Sequence, residues 1–275
     1  MVTYPIALTI AGSDSGGCAG VQADIKTFSS LGVFATSVIT AITAQNTLGV
    51  TDVMAIPSDI VKKQLRAVLD DFNVGGIKVG MLFSKENVFG LSYTYKEYGK
   101  NIPLVVDPVM ISTSGNSLIL DETIEAIKEF LFPIATIITP NLNEASTLLH
   151  KEIQTINEME VGAMEFVNEY GVNSVLIKGG HLEGENMVDI FYSKYISSPI
   201  MFKSKKINTI NTHGTGCTLS SAIAAFLAIG HSLEESLHLS KEYITQAIDS
   251  AKEITLGKGN GAVNHFFNPQ KLIKK

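Results

Sequence analysis

Cysteine is scarce: the 275 residues contain only Cys18 and Cys217. Two thiols cannot build a disulfide framework and are too few for a cysteine-based zinc site, so reduced thiols are expected. No stretch approaches the ~18 uninterrupted apolar residues of a membrane span. The first residues lack a basic region followed by a long apolar one, which points to a cytoplasmic rather than a secreted protein. Basic residues are in the minority, 21 Lys and Arg against 27 Asp and Glu, for a formal net charge of −6. That balance disfavours a general nucleic-acid binder but allows an anionic ligand wherever positive groups gather. Two nucleotide signatures are also missing. No G-x-x-x-x-G-K-[ST] occurs, which excludes a P-loop. The first glycine-rich loop is not G-x-G-x-x-G, and the second apolar run ends in Ala44-Gln45-Asn46 without a ribose-binding acid, which disfavours a nicotinamide enzyme.

What is present suits a large core: 45% of residues are hydrophobic and 17% charged. Strand-like and helix-like segments alternate almost to the end. Residues 6–11, 34–43, 77–82, 103–109, 135–139 and 174–178 are short apolar runs, most of them suited to burial on both faces. Helical patterns lie between them. Val21, Ile25 and Phe28 mark one at 21–31, with Gly32 as its stop, and Ser58 opens another. Residues 188–210 read as an antiparallel strand pair at one edge. A helix over 217–229 ends at Gly230, and Ser232-Leu233-Glu234-Glu235 reads as a capping box for the next. The order predicts an α/β sandwich with a mostly parallel sheet, in one domain spanning 1–275. Ligands in such sheets sit at the carboxyl ends of the strands, so the motifs there carry the function.

The strongest motif is "NTHGTGCTLSSAIAAFLAIG" at 211–230. Gly214, Thr215 and Gly216 let several backbone N–H groups point one way at a helix start, which makes an anion cradle. An ordinary glycine-rich helix start with Cys217 as a small core residue is the competing reading. In the first turn the Cys217 thiol is expected to have a lowered pKa. Asp107 follows an apolar strand. Asn141 and Glu144 lie one helical turn apart, suited either to a magnesium ion held through water or to a plain N-cap. Lys178 ends a strand where it can reach a phosphate or simply be solvated, and Lys258 lies in the basic loop "GKGNG". Asp24 falls on the apolar stripe after "GSDSGGCAGVQAD" (12–24), where it either suits the helix dipole as an acid near a helix start or, since an unpaired carboxylate there is costly, is hydrogen-bonded or faces a cavity. With Gln45 it would suit a ligand bearing an amine, ring nitrogens or a hydroxyl.

These stretches, together with "TAITAQNTLGV", "KVGML", "VVDPVM", "TPNLNEA", "IKGGH" and "GKGNGAVNHF", occur in the order found in hydroxymethylpyrimidine/phosphomethylpyrimidine kinases. The chain resembles that family from about residue 6 to 267. The resemblance implies a ribokinase-like three-layer sandwich, with a mostly parallel central sheet and an antiparallel edge, acting in thiamine biosynthesis. It implies ATP and Mg2+, a homodimer, and phosphorylation of 4-amino-5-hydroxymethyl-2-methylpyrimidine followed by phosphorylation of its monophosphate. Gly12, Asp24, Gln45 and Met81 match pyrimidine-pocket positions. Asp107 and Glu144 match metal positions, and Asn141, Lys178, Thr212, Thr215 and Lys258 match nucleotide and phosphate positions. Gly214, Gly216 and Cys217 match the anion hole and the proposed base. Cys18 stands where the family usually has glycine, and Ala262 replaces a common proline. Ser112 stands where a related pyridoxal kinase subgroup has a second cysteine, which weighs against a pyridoxal kinase even though His213 is present. The remaining alternative is a pyrimidine- or nucleotide-binding protein without catalysis, against which Asp107, Glu144, Lys178 and Cys217 all stand filled.

Overall fold

The computed structural model describes residues 2–98, 101–110, 120–180 and 186–274. Ser112, the position that separates the pyridoxal kinase subgroup, lies outside these residues. In chain order the elements are β1 (Ile6–Asp14), α1 (Gly20–Ser30), β2 (Phe34–Asn46), β3 (Gly49–Ala55), α2 (Ser58–Asp71) and β4 (Gly76–Val79). Next come α3 (Lys85–Tyr98), β5 (Leu104–Val106), α4 (Asp121–Phe130), β6 (Ile137–Ile138), α5 (Leu142–Leu149), α6 (Ile156–Asn168) and β7 (Ser174–Lys178). The chain closes with β8 (Asn186–Ser193), β9 (Ile200–Lys205), α7 (Thr215–Ile229) and α8 (Leu233–Ala251).

The strands form a single sheet in the order β3-β2-β1-β4-β5-β6-β7-β8-β9. Pairing is parallel from β2 to β7 and antiparallel at both edges, not at one alone. The β8–β9 edge agrees with the sequence pattern. β3 has no apolar face to announce it: four of its seven residues are exposed. It pairs with only the far end of β2, from Ala41 opposite Ala55 to Asn46 opposite Gly49.

The uninterrupted apolar runs follow from two-sided burial. In β5, Leu104 and Val106 join the core under α2–α6, while Val105 faces the core under α1, α7 and α8. In β7, Val175 and Ile177 take the first side and Leu176 the second. Each such side chain contributes about 1.5–3 kcal/mol by leaving water. Helix α7 lies unusually close to the sheet, because Ala222, Ala224, Ala225 and Ala228 present little bulk. A Cβ on Gly76 would come within 2.4 Å of the Ala224 carbonyl oxygen. This close crossing carries the N-terminus of α7 to the strand ends where the motifs gather.

Two local expectations change. Ser232 does cap α8, accepting the Glu235 N–H at 3.2 Å. The Glu235 carboxylate, however, turns to the His231 ring at 3.0 Å, so only half of the capping box forms. On α1, Val21 and Phe28 are buried, but Ile25 is 36% exposed and the buried position beside them belongs to Asp24.

Candidate active site

The glycine-rich stretch after β1 is a loop tied down by Asp14. One carboxylate oxygen accepts the Gly16 N–H at 2.8 Å, and the other accepts those of Cys18 and Ala19 at 2.9 and 2.8 Å. Ser15 clips this loop to β2, accepting the Gln45 N–H at 2.8 Å and donating to the Gln45 carbonyl at 2.7 Å. Gly214, at φ +81°, meets the same loop from the α7 side: a Cβ there would stand 1.9 Å from the Cys18 carbonyl oxygen. Only glycine permits both that backbone and that approach. The floor is equally tight. A Cβ on Gly12 would lie 2.4 Å from the Met81 Cε, so Gly12 and Met81 are in contact. The Gln45 amide accepts from Thr43 at 3.1 Å, and its nitrogen lies 3.0 Å from His213 Nε2.

Of the alternatives for Asp24, the structure shows the hydrogen-bonded one: the residue is fully buried. Lys78 Nζ donates to both of its oxygens at 2.9 Å, Thr9 to one at 2.5 Å and Ser221 to the other at 2.7 Å. Its acceptor capacity is taken by the protein itself, which is how a carboxylate survives on that stripe. Lys78, the residue that answers it, was not singled out from the sequence. The signal was there: a lysine alternating with Ile77 and Val79 in a doubly buried strand requires a buried acid, and α1 offers one on its apolar stripe.

The phosphate-side residues do come together. Lys178 Nζ donates to Asp107 at 2.8 Å, and Thr139 and Ser220 donate to the same carboxylate at 3.2 and 3.3 Å. A Cβ on Gly216 would sit 3.3 Å from Lys178 Nζ and 3.6 Å from an Asp107 oxygen, so this ion pair borders the first turn of α7. Burial works to raise the Asp107 pKa, but the ammonium groups of Lys178 and Lys78 outweigh it and hold the carboxyl below its ordinary range. Burial likewise opposes the Lys178 charge, and Asp107 and Glu144 outweigh it. Asn141 and Glu144 form a complete capping box on α5: the Asn141 side chain accepts the Glu144 N–H at 2.9 Å, and the Glu144 carboxylate accepts the Asn141 N–H at 2.7 Å. The cap does not account for everything at Glu144. Burial, resisted by Lys178 and reinforced by the Asp107 charge, pushes its pKa up to about 7.

Cys217 departs from the expected lowering of its pKa. The residue is half-buried at the helix start, yet burial pushes its thiol up to about 11, aided by the Asp24 and Asp107 carboxylates and opposed by Lys78 and the Gly20 N–H. The resting group is a thiol. Of the remaining positions, Thr212 is exposed and Thr215 half-buried, with the Thr215 N–H bonded to the Thr212 carbonyl at 3.3 Å. The exposed Lys258 belongs to a loop docked on the β2–β3 turn. The Lys258 and Gly259 N–H groups donate to the Thr47 hydroxyl at 3.1 and 3.0 Å.

Residues 14–264 match the family described as Phosphomethylpyrimidine kinase. The hydroxymethylpyrimidine/phosphomethylpyrimidine kinase of Rhizobium meliloti is 44% identical over 261 residues, covering 95% of this chain and 97% of that protein. The crystal structure of a phosphomethylpyrimidine kinase from Clostridium difficile superposes with a TM-score of 0.77 at 45% identity, over 88% of this chain and 98% of that one. An ADP complex of Bacillus subtilis pyridoxal kinase gives a TM-score of 0.85 at 36% identity, over 96% and 98%. With near-complete coverage, and with a glycine loop, a strand-end ion pair and a helix start arranged around one site, the chain belongs to the hydroxymethylpyrimidine/phosphomethylpyrimidine kinase family.

Proposed function

We propose that the chain transfers phosphoryl groups from ATP to 4-amino-5-hydroxymethyl-2-methylpyrimidine and then to its monophosphate, in thiamine biosynthesis. The observation that carries this reading is the pair of a buried Asp107 and a partly exposed Lys178 set against Gly216 at the start of α7. First-turn N–H groups have no partner within their own helix. Together with the Lys178 ammonium they form a fixed field for the charge of a phosphoryl group in flight. Asn141, Thr212, Thr215 and Lys258 are the proposed nucleotide contacts. Gly12, Gln45 and Met81 are the proposed pyrimidine contacts; Asp24 supports that pocket from beneath through Lys78.

Asp107 and Glu144 fit a magnesium ion by the chemistry of their donors: both offer carboxylate oxygens, which magnesium prefers, and they lie close enough for the Asp107 charge to act on Glu144. Held by these two carboxylates, Mg2+ would supply charge neutralisation for the phosphates during transfer. Incubation with ATP, Mg2+ and the pyrimidine, followed by mass analysis, should yield monophosphate and then diphosphate. Unchanged pyrimidine with ATP intact would leave only a binding protein. Pyridoxal belongs in the same assay, because the backbone also follows a pyridoxal kinase closely.

Gln45→Ala should lower kcat/KM for the pyrimidine about tenfold while ATP affinity barely changes, because a lost buried polar contact costs ~1–3 kcal/mol. Loss of ATP affinity with intact pyrimidine binding would reverse the assignment.

Glu144→Gln should raise the Mg2+ concentration needed for half-maximal rate. It also has a signature without substrate. In the folded chain Glu144 keeps its proton up to about pH 7, against 4.5 for the ordinary group. The folded state therefore binds more protons between those values. The stability this contributes is complete below the lower value and lost as pH rises through the upper one. Glutamine keeps an oxygen for the Asn141 N–H but removes the charge. In Mg2+-free urea unfolding, Glu144→Gln should therefore gain roughly 1–3 kcal/mol over wild type at pH 8 and little at pH 4. An equal effect at both pH values would mean that Glu144 is not the titrating group.

A further inference from the structure

Three donor side chains with no assigned part in phosphoryl transfer meet between the glycine loop and the residue before Gly214. Asp14, Cys18 and His213 are 3%, 2% and 5% exposed. A carboxylate oxygen, the thiol sulfur and a ring nitrogen all lie within 4.8 Å of one another. Asp14 Oδ2 and His213 Nε2 are 3.6 Å apart. Two ligands on one tetrahedral zinc ion, with bonds of about 2.0–2.3 Å, stand about 3.3–3.7 Å apart. The Asp14–His213 pair is thus close to ligand spacing, and the Cys18 sulfur lies within 4.8 Å of both donor atoms.

The donors are also held as ligands usually are. The three backbone N–H groups that Asp14 accepts fix its carboxylate, the kind of outer support that orients metal ligands. The His213 nitrogen that would bind the ion now meets the Gln45 amide nitrogen at 3.0 Å, a contact that coordination would replace. The Cys18 thiol now donates its proton to the Gly16 carbonyl at 3.6 Å. A bound cation would replace that proton, which leaves to solvent as the sulfur–metal bond forms.

We propose that Asp14, Cys18 and His213 form a binding site for a thiophilic divalent cation of the zinc class. One oxygen, one nitrogen and one sulfur suit zinc, cobalt or cadmium; magnesium prefers oxygen alone. The site is therefore chemically distinct from the Asp107 and Glu144 carboxylates. Because the ion ties the glycine loop to the segment before α7, it fastens the two backbones that already touch at Gly214.

The test is a titration of the full chain with Co2+ or Cd2+, reading the thiolate-to-metal charge-transfer absorption, which requires no turnover. Wild type should show a band that saturates at one ion per chain, and excess Mg2+ should leave it in place. Cys18→Ser, a near-isosteric change, should abolish the band. Cys217→Ala should keep it, and those are the only two cysteines in the chain. His213→Asn should keep the band but weaken binding at least tenfold, which tests the site without altering the thiol. Absence of a saturable band, a band that survives Cys18→Ser, or unchanged affinity in His213→Asn would overturn the proposal. A kinase assay that failed would leave this readout untouched, so the two readings are judged separately.

Discussion

Lys78→Met should destabilise the folded chain by about 3–5 kcal/mol, the cost of removing one partner from a buried ion pair. Both Lys78 and Asp24 are fully buried, so the carboxylate left behind would have no water to turn to. Thr9 and Ser221 would still donate to it, but hydroxyl groups cannot offset a buried charge. The double variant Asp24→Asn/Lys78→Met removes both charges and leaves an amide oxygen for those hydroxyls. It should recover most of the loss, because the penalty lies in the unpaired charge and not in the absence of the pair. Urea unfolding of the two single variants and the double variant measures this coupling. If the single losses simply add in the double variant, the two charges are not coupled and Lys78 is not what allows Asp24 to be buried.

Cys217→Ala should slow phosphorylation of the hydroxymethyl alcohol by roughly 10²–10⁴, the usual span for loss of a general base. Phosphorylation of the monophosphate should slow much less. An alcohol must lose its proton as it attacks. A phosphate monoester, with a second pKa of about 6, is already mostly dianionic near neutrality and needs only positioning. The surroundings of Cys217 sharpen this expectation. With its thiol pushed up to about 11, only a small fraction is thiolate near neutral pH, and that fraction grows tenfold per pH unit. The first transfer should therefore accelerate from pH 7 to 9 in wild type and lose that dependence in Cys217→Ala. The second should stay nearly flat over the same range. Equal losses on both substrates would assign Cys217 to shaping the anion hole; a first step indifferent to pH would remove it as the base.

The strand ends were legible because their chemistry repeats at fixed points of an α/β sheet. Asp107 and Lys178 each close an apolar run, and parallel pairing of those runs brings their ends to one edge. β3 was not legible, since an exposed strand paired at one end leaves no periodic trace. The direction of the Cys217 pKa was also hidden. Helix-start position is a local property, whereas burial and the charges of Asp24, Asp107 and Lys78 come from elements distant in the chain.

By itself, then, the sequence determined the alternation of strands and helices, the two-sided burial of the sheet, and which polar groups lie at the strand ends. Each of these depends on spacing along the chain. Only the tertiary structure decided that Asp24 answers Lys78, that Glu144 is both a cap and a carboxylate with a raised pKa, and that Asp14, Cys18 and His213 converge. Those outcomes depend on which groups meet after folding and on how much water is left between them, and neither is set by any local pattern.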